Sequence, residues 1–234
     1  MFLRLPFRGR VVAALLIVSF GVPVRAQTTL LWPEVDVFAR LNDKARLHFL
    51  GATVHDGSQA LEGEFGADVD VYVAPIRKRK HWALFRLDQA KNQILMLRVG
   101  YHYLPSFTGE RSAEDRGVLE ATARYPLLGG VLISDRNRVD FRFIGSEYSW
   151  RYRNRLSAEQ EFSLGPFRLN PYARGEIYYD SRFEKWAKIE FVVGAAIPLT
   201  RHFELEGYFD YQKDISSSPH QQMQAAGVEM NLYF

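Results

Sequence analysis

Hydrophobic and polar residues alternate with a period of two along almost the whole chain. The clearest example is the stretch 148–163, in which every odd position is polar and most even positions are aromatic or aliphatic. Successive side chains of a β-strand point to opposite faces, whereas a helix would spread these charges around its circumference. The stretch is therefore predicted to be a strand, with Asn154 and Gln160 as exceptions on its apolar face.

Turn-forming stretches separate the alternating runs and divide the chain into about twelve strands, with roughly ten to twelve as the expected range. The count includes a weak strand from Trp82 to Asp88. An even number of strands would place both termini at the same end of the sheet. The short turn after Leu41 would then lie at the end of the barrel that carries the long loops. The longer segment 55–63 would lie at the end that carries the short turns. No linker, repeat or low-complexity segment suggests a second domain.

The alternation alone does not say which face points inward, since soluble lipocalin-like barrels also alternate. Three features favour a barrel that spans a membrane. The predicted strands are long enough to cross a bilayer on a tilt. Aromatic residues make up 14% of the chain and cluster towards strand ends, and a barrel of this size has a lumen too wide for one apolar face to fill. The predicted fold is therefore an all-β, transmembrane, antiparallel up-and-down β-barrel with its apolar face towards lipid.

Residues 1–26 have the features of a secretory signal peptide. An arginine-rich start precedes the apolar run 11–24, which is too short for a comfortable membrane-spanning helix. A small-x-small sequence follows and predicts cleavage between Ala26 and Gln27, with a retained N-terminal anchor as the alternative. We therefore expect export by the Sec route, after which 27–234 forms a single barrel in the outer membrane of a Gram-negative bacterium.

The charge balance changes once the signal peptide is removed. The peptide contains four arginines and no acidic residue, so 26 Lys and Arg remain against 27 Asp and Glu. A nearly neutral mature chain offers no electrostatic basis for nucleic-acid binding. The chain has no cysteine, which is compatible with an oxidising compartment and provides no disulfide framework.

The chain ends in GVEMNLYF, which keeps the alternation up to the last residue. The apolar face of this stretch consists of Val228, Met230, Leu232 and Phe234. It is similar to the C-terminal strand of outer-membrane proteins, whose last residue is typically Phe. The resemblance implies recognition by the barrel-assembly machinery during insertion and contact of this face with outer-membrane lipid. An edge strand of a soluble sheet would leave the terminal aromatic residue unexplained.

The chain also contains, in this order, the segments WPEVDVFARLNDKARLHFL, SDRNRVDFRF and WRYRNRLSAEQEF. Their order, the opening Trp32-Pro33-Glu34 and the strands with an Arg-x-Arg pattern resemble a family of bacterial barrels catalogued as domain of unknown function 2490. The likeness extends over most of the mature chain. It implies an outer-membrane barrel without an established activity, and it transfers no functional residues.

The polar face of the predicted barrel carries arginines and carboxylates in similar numbers. The residues expected to line the lumen are Arg98, Arg124, Arg138, Asp140, Arg142, Arg151, Arg153, Arg155, Glu159, Glu161, Arg168, Arg174, Glu176, Glu190, Glu204, Glu206, Asp210 and Glu229. An arginine-lined aqueous pore would attract anions. Arginines paired with carboxylates would instead brace the barrel and partly fill it. The two interpretations are compatible with each other.

A catalytic role has less support in the sequence. Outer-membrane lipid hydrolases with a His-x-Ser pair activate the hydroxyl through the imidazole, but none of the six histidines precedes a serine by two positions. No glycine-flanked serine elbow is found either. Triad members need not be close in sequence, so His102 and His202, near acids of the predicted lumen, remain candidates. A lipid-modifying enzyme is therefore the alternative function.

No set of residues has the spacing of a metal site, although Asp68 and Asp70 share a strand face and Asp56 lies in a glycine-containing loop. The sequence therefore predicts a non-catalytic barrel without cofactor, either a narrow porin-like channel or a structural barrel with a charged lumen. It leaves the solute and the oligomeric state open.

Overall fold

The computed structural model of the protein describes residues 29–76, 87–109, 112–127, 129–164, 167–216 and 220–234. The expected signal peptide, with its cleavage site between Ala26 and Gln27, lies outside these residues, as does most of the strand expected from Trp82 to Asp88. Within the described ranges, no helix is long and apolar enough to span a membrane.

Almost all of the described chain is β-strand. The strands are β1 (Thr29–Asn42), β2 (Ala45–Asp56), β3 (Gln59–Pro75), β4 (Gln93–Leu104), β5 (Glu114–Pro126), β6 (Val131–Ile144), β7 (Glu147–Gln160), β8 (Phe162–Leu164), β9 (Phe167–Asp180), β10 (Lys185–Pro198), β11 (Phe203–Asp214) and β12 (Gln222–Tyr233). One 3₁₀ helix, Gln89–Asn92, precedes β4.

The eleven long strands, all except β8, form one closed sheet. Consecutive long strands pair antiparallel, and β1 pairs with β12 in parallel to complete the barrel. The short strand β8 pairs with the beginning of β9. The prediction of an all-β, up-and-down barrel is confirmed, with a strand number inside the expected range.

The odd number of long strands places the two ends of the chain at opposite ends of the barrel. We call the end with Thr29 the N-terminal rim and the end with Phe234 the C-terminal rim. The expectation that both termini lie at one end is wrong, because the closed sheet has eleven long strands, with β3 paired directly to β4. The turn after Leu41 consequently lies at the C-terminal rim, beside the short β10–β11 turn. The segment 55–63 is mostly strand rather than a long loop, since only Gly57 and Ser58 join β2 to β3.

The last residue extends the seam between the first and the last strand. The backbone N–H of Phe234 donates to the carbonyl of Phe38 (2.8 Å), and the carbonyl of Phe234 accepts from the N–H of Arg40 (2.8 Å). Next to this pair, the rings of Phe38 and Tyr233 stack at 5.1 Å between centroids. The side chain of Phe234 itself points outward and is 66% exposed. The terminal aromatic residue is therefore part of the barrel wall.

The two faces of the sheet have opposite chemical character. Outward positions hold exposed aliphatic and aromatic side chains, such as Val99 on β4 and Phe191 on β10, whereas most of the buried side chains are polar or charged. Near the N-terminal rim, the outward ring of Tyr179 contacts the rings of Trp150 and Trp186. The prolines Pro171 and Pro198, which cannot donate a ladder hydrogen bond, both lie in the parts of their strands nearest the C-terminal rim.

Tyr208 of β11 points inward and depends on glycine at the neighbouring strand. A Cβ atom at Gly227 of β12 would lie 1.9 Å from Cζ of the Tyr208 ring. On the other side of β11, a Cβ atom at Gly194 of β10 would lie 2.7 Å from Cβ of Tyr208 and 2.5 Å from the hydroxyl of Tyr172. These inward glycines therefore make the space that the tyrosine occupies in the barrel wall.

We predict that Gly227→Ala lowers the free energy of unfolding by roughly 1–3 kcal/mol, because the added methyl group overpacks against the Tyr208 ring. Gly207→Ala is the matched control, since a Cβ atom at this outward position of β11 meets nothing within 4 Å. It should change stability by less than about 1 kcal/mol. Urea titration of the folded protein, followed by tryptophan fluorescence, measures both. Equal effects of the two substitutions would contradict the packing described for Tyr208.

Candidate functional site: the barrel interior

The barrel encloses a cavity of about 500 Å³ to which every long strand contributes at least one residue. The lining extends from Thr53 and Glu62, near the N-terminal rim, to Lys91 and Glu159, near the C-terminal rim. Most of its side chains are charged, because the inward positions of the strands carry the polar half of the alternation. The interior is therefore the candidate functional site.

The residues predicted for the lumen fall into three groups. One group lines the cavity directly: Arg98, Arg124, Arg138, Arg151, Arg153, Arg155, Glu159, Arg174, Glu190, Asp210 and Glu229. A second group is buried between other interior side chains: Asp140, Arg142, Glu176, Glu204 and Glu206. The third group lies beside the segment 87–92 at the C-terminal rim: Glu161, Arg168 and, again, Glu204.

An arginine-rich wall is built by β5, β6, β7 and β9. Its centre is Glu176, whose carboxylate accepts hydrogen bonds of 2.7 Å from each of Arg136, Arg153 and Arg155. Register places Arg136 opposite Arg155, and Arg138 opposite Arg153. Like charges in directly opposite positions destabilise a sheet unless carboxylates separate them. Glu176 therefore holds three guanidinium groups in place along the cavity.

The same wall continues towards the N-terminal rim through shared carboxylates. Asp180 accepts from Arg142 (3.2 Å) and from Arg151 (3.0 Å), and Arg142 also donates to Glu114 (2.7 Å). Such pairs are charge-assisted hydrogen bonds, which are stronger than neutral ones and fix the planar guanidinium in orientation. The arginines of this wall are therefore rigid parts of the lining.

An acidic wall is built by β10, β11, β12 and β1; it adjoins the arginine-rich wall at the β9–β10 pair and extends to the other side of the barrel. Oxygen atoms of Glu34, Asp36 and Glu229 all lie within 4.8 Å of one another. Glu206 of β11 is buried nearby and accepts from Arg174 at 3.0 Å. Arginine on one side and carboxylate on the other produce a separation of charge across the cavity, which would act on any charged or dipolar solute inside it.

Two histidines connect these walls through a chain of carboxylates. His48 of β2 contacts Asp36 through Nε2 (2.6 Å) and Asp68 through Nδ1 (2.8 Å). His102 of β4 contacts Glu64 through Nδ1 (2.6 Å) and Asp68 through Nε2 (3.1 Å). A carboxyl oxygen therefore lies within hydrogen-bond distance of each ring nitrogen of both histidines.

Glycine makes room for this histidine network. A Cβ atom at Gly100 would lie 1.6 Å from Oδ1 of Asp68, and one at Gly66 would lie 2.7 Å from the His102 ring. The neighbouring Asp70 is fully buried and accepts from Arg46 (2.7 Å) and Arg98 (2.6 Å). Asp68 and Asp70, which point to the same side of β3, therefore both form ion pairs.

The sequence analysis did not identify the network formed by Asp36, His48, Glu64, Asp68 and His102. The alternation does place all five on the inward face. Their contacts, however, depend on strand register, which brings His48 opposite Asp68. Period-two patterning in a single sequence does not specify that register.

Several buried polar atoms of the described interior have no hydrogen-bond partner, although two of them, Glu120 Oε2 and Asp140 Oδ2, lie within ion-pair distance of an arginine. Five of them belong to the neighbouring strands β5 and β6: Glu120 Oε2, Arg124 Nη1, Arg136 Nε, Arg138 Nη2 and Asp140 Oδ2. Buried donors and acceptors are costly when unsatisfied, so water or a solute must serve them. These atoms therefore indicate a hydrated interior next to the arginine-rich wall.

The segment before β4 folds inward at the C-terminal rim. Asp88 caps the 3₁₀ helix by accepting from the N–H of Ala90 (2.9 Å) and also accepts from Arg46 (2.7 Å). Lys91 donates to Glu159 of β7 (2.5 Å), and Ala90 is fully buried against Tyr72 and Met96. The segment 87–92 therefore narrows the interior at this rim.

The histidines considered for catalysis occupy different settings. The recorded partners of His102 are the carboxylates described above. His202 lies at the C-terminal rim, where its ring stacks with that of Phe234 and its Nδ1 lies 2.6 Å from the carbonyl of Tyr233. His55, which the sequence analysis did not single out, has its Nε2 at 3.0 Å from the Thr53 hydroxyl. Within the described residues, no carboxylate hydrogen-bonds to the other nitrogen of His55.

The fold and the interior define a class of protein, namely a closed β-barrel with an apolar outer face and a charged, ion-paired interior. The sequence over residues 88–224 matches the family described as "Protein of unknown function (DUF2490)". Because the match covers more than half of the chain, the protein belongs to this family. The matched range begins after Trp32-Pro33-Glu34, so that segment lies outside it. No curated protein matches the sequence.

We predict a pH-dependent contribution of Asp88 to stability. Burial alone would raise the pKa of this carboxyl, but Arg46 and Lys91 outweigh that effect and lower the pKa from 3.8 to about 2. A lowered pKa stabilises the folded state above the unfolded value and loses this effect as the pH falls towards the folded value. Asp88→Asn, which can still cap the helix, should therefore cost about 2 kcal/mol at neutral pH.

The measurement is the free energy of unfolding of the protein and the variant between pH 7 and pH 2. The difference between the two curves should vanish as the pH falls from about 4 to about 2, the range set by the two pKa values. Asp43→Asn at the same rim is the control, since its side chain is 87% exposed. A difference for Asp88→Asn that stays constant with pH would contradict the assigned ion pairs.

Proposed function

We propose that the protein is an integral β-barrel of the bacterial outer membrane, without catalytic activity, whose charged interior forms a narrow channel for small charged solutes. The proposal includes insertion by the barrel-assembly machinery and an outer face in contact with outer-membrane lipid. The observation that carries it is the distribution of apolar and charged side chains between the two faces of the closed sheet.

The outer face supports the membrane location. Side chains at mid-height on different sides of the barrel are largely exposed, including Val99 (53%), Leu156 (57%) and Phe191 (56%). A soluble barrel places such residues inside and its charges in water. Here the exposed apolar surface continues around the barrel, far beyond the patches found on soluble monomers. A bilayer provides the apolar surroundings that this surface requires.

The interior supports a channel of limited width. The cavity of about 500 Å³ reaches from one rim towards the other, and unpaired polar atoms beside it require water. The ion pairs at Glu176 and Asp180 hold the arginines against the wall, so bracing and conduction use the same residues. The segment 87–92 restricts the interior at the C-terminal rim. These features favour inorganic ions and small polar solutes over large ones.

A lipid-modifying enzyme is the alternative function. The observation that supports it is the contact between Thr53 and His55. A hydroxyl next to an imidazole is the first half of a nucleophile-base pair. A base also needs a group that orients it, which the described contacts of His55 do not supply. A lipid product that disappears in a folded Thr53→Val variant would establish the enzyme in place of the proposed non-catalytic role.

We predict discrete conductance steps when the purified mature protein is inserted into a planar bilayer. In a salt gradient, the reversal potential should show a preference for anions, because the arginines lining the cavity are fixed while solutes pass. Replacing Arg151, Arg153 and Arg155 by Ala should lower the anion-to-cation permeability ratio, by an amount on the order of twofold to tenfold.

Two comparisons make this measurement decisive. The matching Arg→Lys variant keeps the three charges and should retain the anion preference. Arg40→Ala, at an exposed ion pair of the C-terminal rim, should leave it unchanged. Heat-modifiable gel migration shows whether each barrel is folded. A folded protein that produces no conductance in the bilayer would refute the proposal of a channel.

A further inference from the structure

The outward face of β6 and β7 carries a polar cluster that the channel does not use. We call Asp135, Asn137, Tyr152 and Asn154 the outer polar patch. Asn154 Nδ2 donates to Asp135 (2.7 Å) and to Asn137 (3.2 Å), and the Tyr152 hydroxyl donates to Asn137 (2.6 Å). Inward positions alternate with these residues along both strands, so the whole patch points away from the interior.

The patch lies at mid-height of the barrel wall. Asn137 and Asn154 are directly opposite each other near the middle of their strands. Outward positions in the middle of the other strands hold residues such as Val35, Leu119 and Phe209, which are exposed. The patch therefore interrupts the apolar band at the depth where a bilayer contains no water, and this inference rests on the membrane location proposed above.

The mutual hydrogen bonds do not satisfy the patch in hydrocarbon. Asp135 is exposed, and its carboxylate accepts four or more hydrogen bonds when ionised, whereas the patch offers it two Asn amides. Acyl chains provide no donors. An ionisable group at this depth is costly and marks a contact with another polar group. The missing partner must therefore carry N–H or O–H groups at the same depth.

We propose that the outer polar patch is the centre of a contact with a second copy of this chain. The Asn137 amide of one copy, which uses only one of its two N–H groups within its own chain, would donate the other to Asp135 of the second copy, and the same contact would repeat in reverse about a twofold axis. A second copy is favoured because it presents donors of the required kind at the same depth. Isologous contacts of this sort give closed dimers.

The shape of the surface on either side of the patch fits this arrangement. On β7, Leu156 and Trp150 stand out as a ridge and are 57% and 38% exposed. On β3 to β6 a groove of about 490 Å³ is lined by Val71, Val99 and Ala121, among others, and ends at Asn137. A twofold axis through the patch, parallel to the barrel axis, places the ridge of one copy in the groove of the other.

The absence of cysteine allows a direct test by disulfide cross-linking in isolated outer membranes. The double variant Leu156→Cys with Ala121→Cys introduces one thiol on the ridge and one in the groove, and Val35→Cys introduces one at mid-height on β1, on the opposite side of the barrel. Oxidation should convert the double variant into a covalent dimer of twice the chain mass and leave Val35→Cys monomeric. Equal cross-linking of both variants, or an adduct of the double variant with a different protein, would overturn the proposal.

A second set of variants separates loss of the contact from loss of the fold. The triple variant Asp135→Leu, Asn137→Val, Asn154→Leu makes the outward face uniformly apolar, so it should fold with unchanged heat-modifiable migration. In detergent, the dimer dissociation constant should rise at least about tenfold, measured by sedimentation. A wild-type protein that is monomeric at all concentrations would refute the dimer.

The same preparations distinguish this proposal from the proposed function. Recovery of the protein in carbonate-washed outer membranes as a monomer would leave the membrane barrel in place and reject the dimer. Recovery in the soluble fraction would reject the membrane barrel itself, and the dimer proposal with it.

Discussion

The interior of this barrel depends on pairing between charges. Arginines, carboxylates and histidines make up more than half of the residues that line the cavity, and an unpaired buried charge costs several kcal/mol. Glu176 with its three arginines, and Asp68 with its two histidines, distribute each negative charge over several partners. These partners lie on strands that follow one another in the sheet, β6, β7 and β9 in one case and β2, β3 and β4 in the other, so the ion pairs also stabilise the register in which these strands pair.

Closure of the sheet is the second constraint on this structure. A barrel leaves no edge with unpaired backbone groups, which a bilayer would not tolerate. In this protein an odd number of long strands closes through a parallel pair, and Phe234 contributes backbone hydrogen bonds to that seam. The charged interior and the apolar exterior both follow from the alternation of polar and apolar residues along strands that form a closed sheet.

The alternation was sufficient to predict the fold class and the inward direction of residues such as Arg153 and Glu190. It did not reveal that β3 pairs directly with β4, because period-two patterning does not say which strands pair. It also did not reveal the contacts of His48 with Asp36 and Asp68, since these depend on register. The sequence pattern identified Asn154 only as an exception on the apolar face. Its hydrogen bonds to Asp135 and Asn137 depend on the pairing of β6 with β7, which the pattern does not specify.

The outer polar patch and the interior network both contain charged groups that need hydrogen-bond partners away from bulk water. Inside, charges are neutralised by partners from the same chain and by water. On the outer face, the cluster around Asp135 has too few donors within its own chain, which points to a partner outside it. The function proposed for the interior and the contact proposed for the exterior can therefore fail independently, provided that the barrel resides in a membrane.

The most direct test of the membrane barrel with a hydrated interior is thiol labelling at two adjacent valines of β10 in lipid vesicles. Val192 lines the cavity, and Val193 points outward. The account predicts that Val192→Cys reacts with a small water-soluble reagent, whereas Val193→Cys reacts only with a lipid-soluble one. Labelling of Val193→Cys by the water-soluble reagent, with Val192→Cys protected from it, would contradict the account.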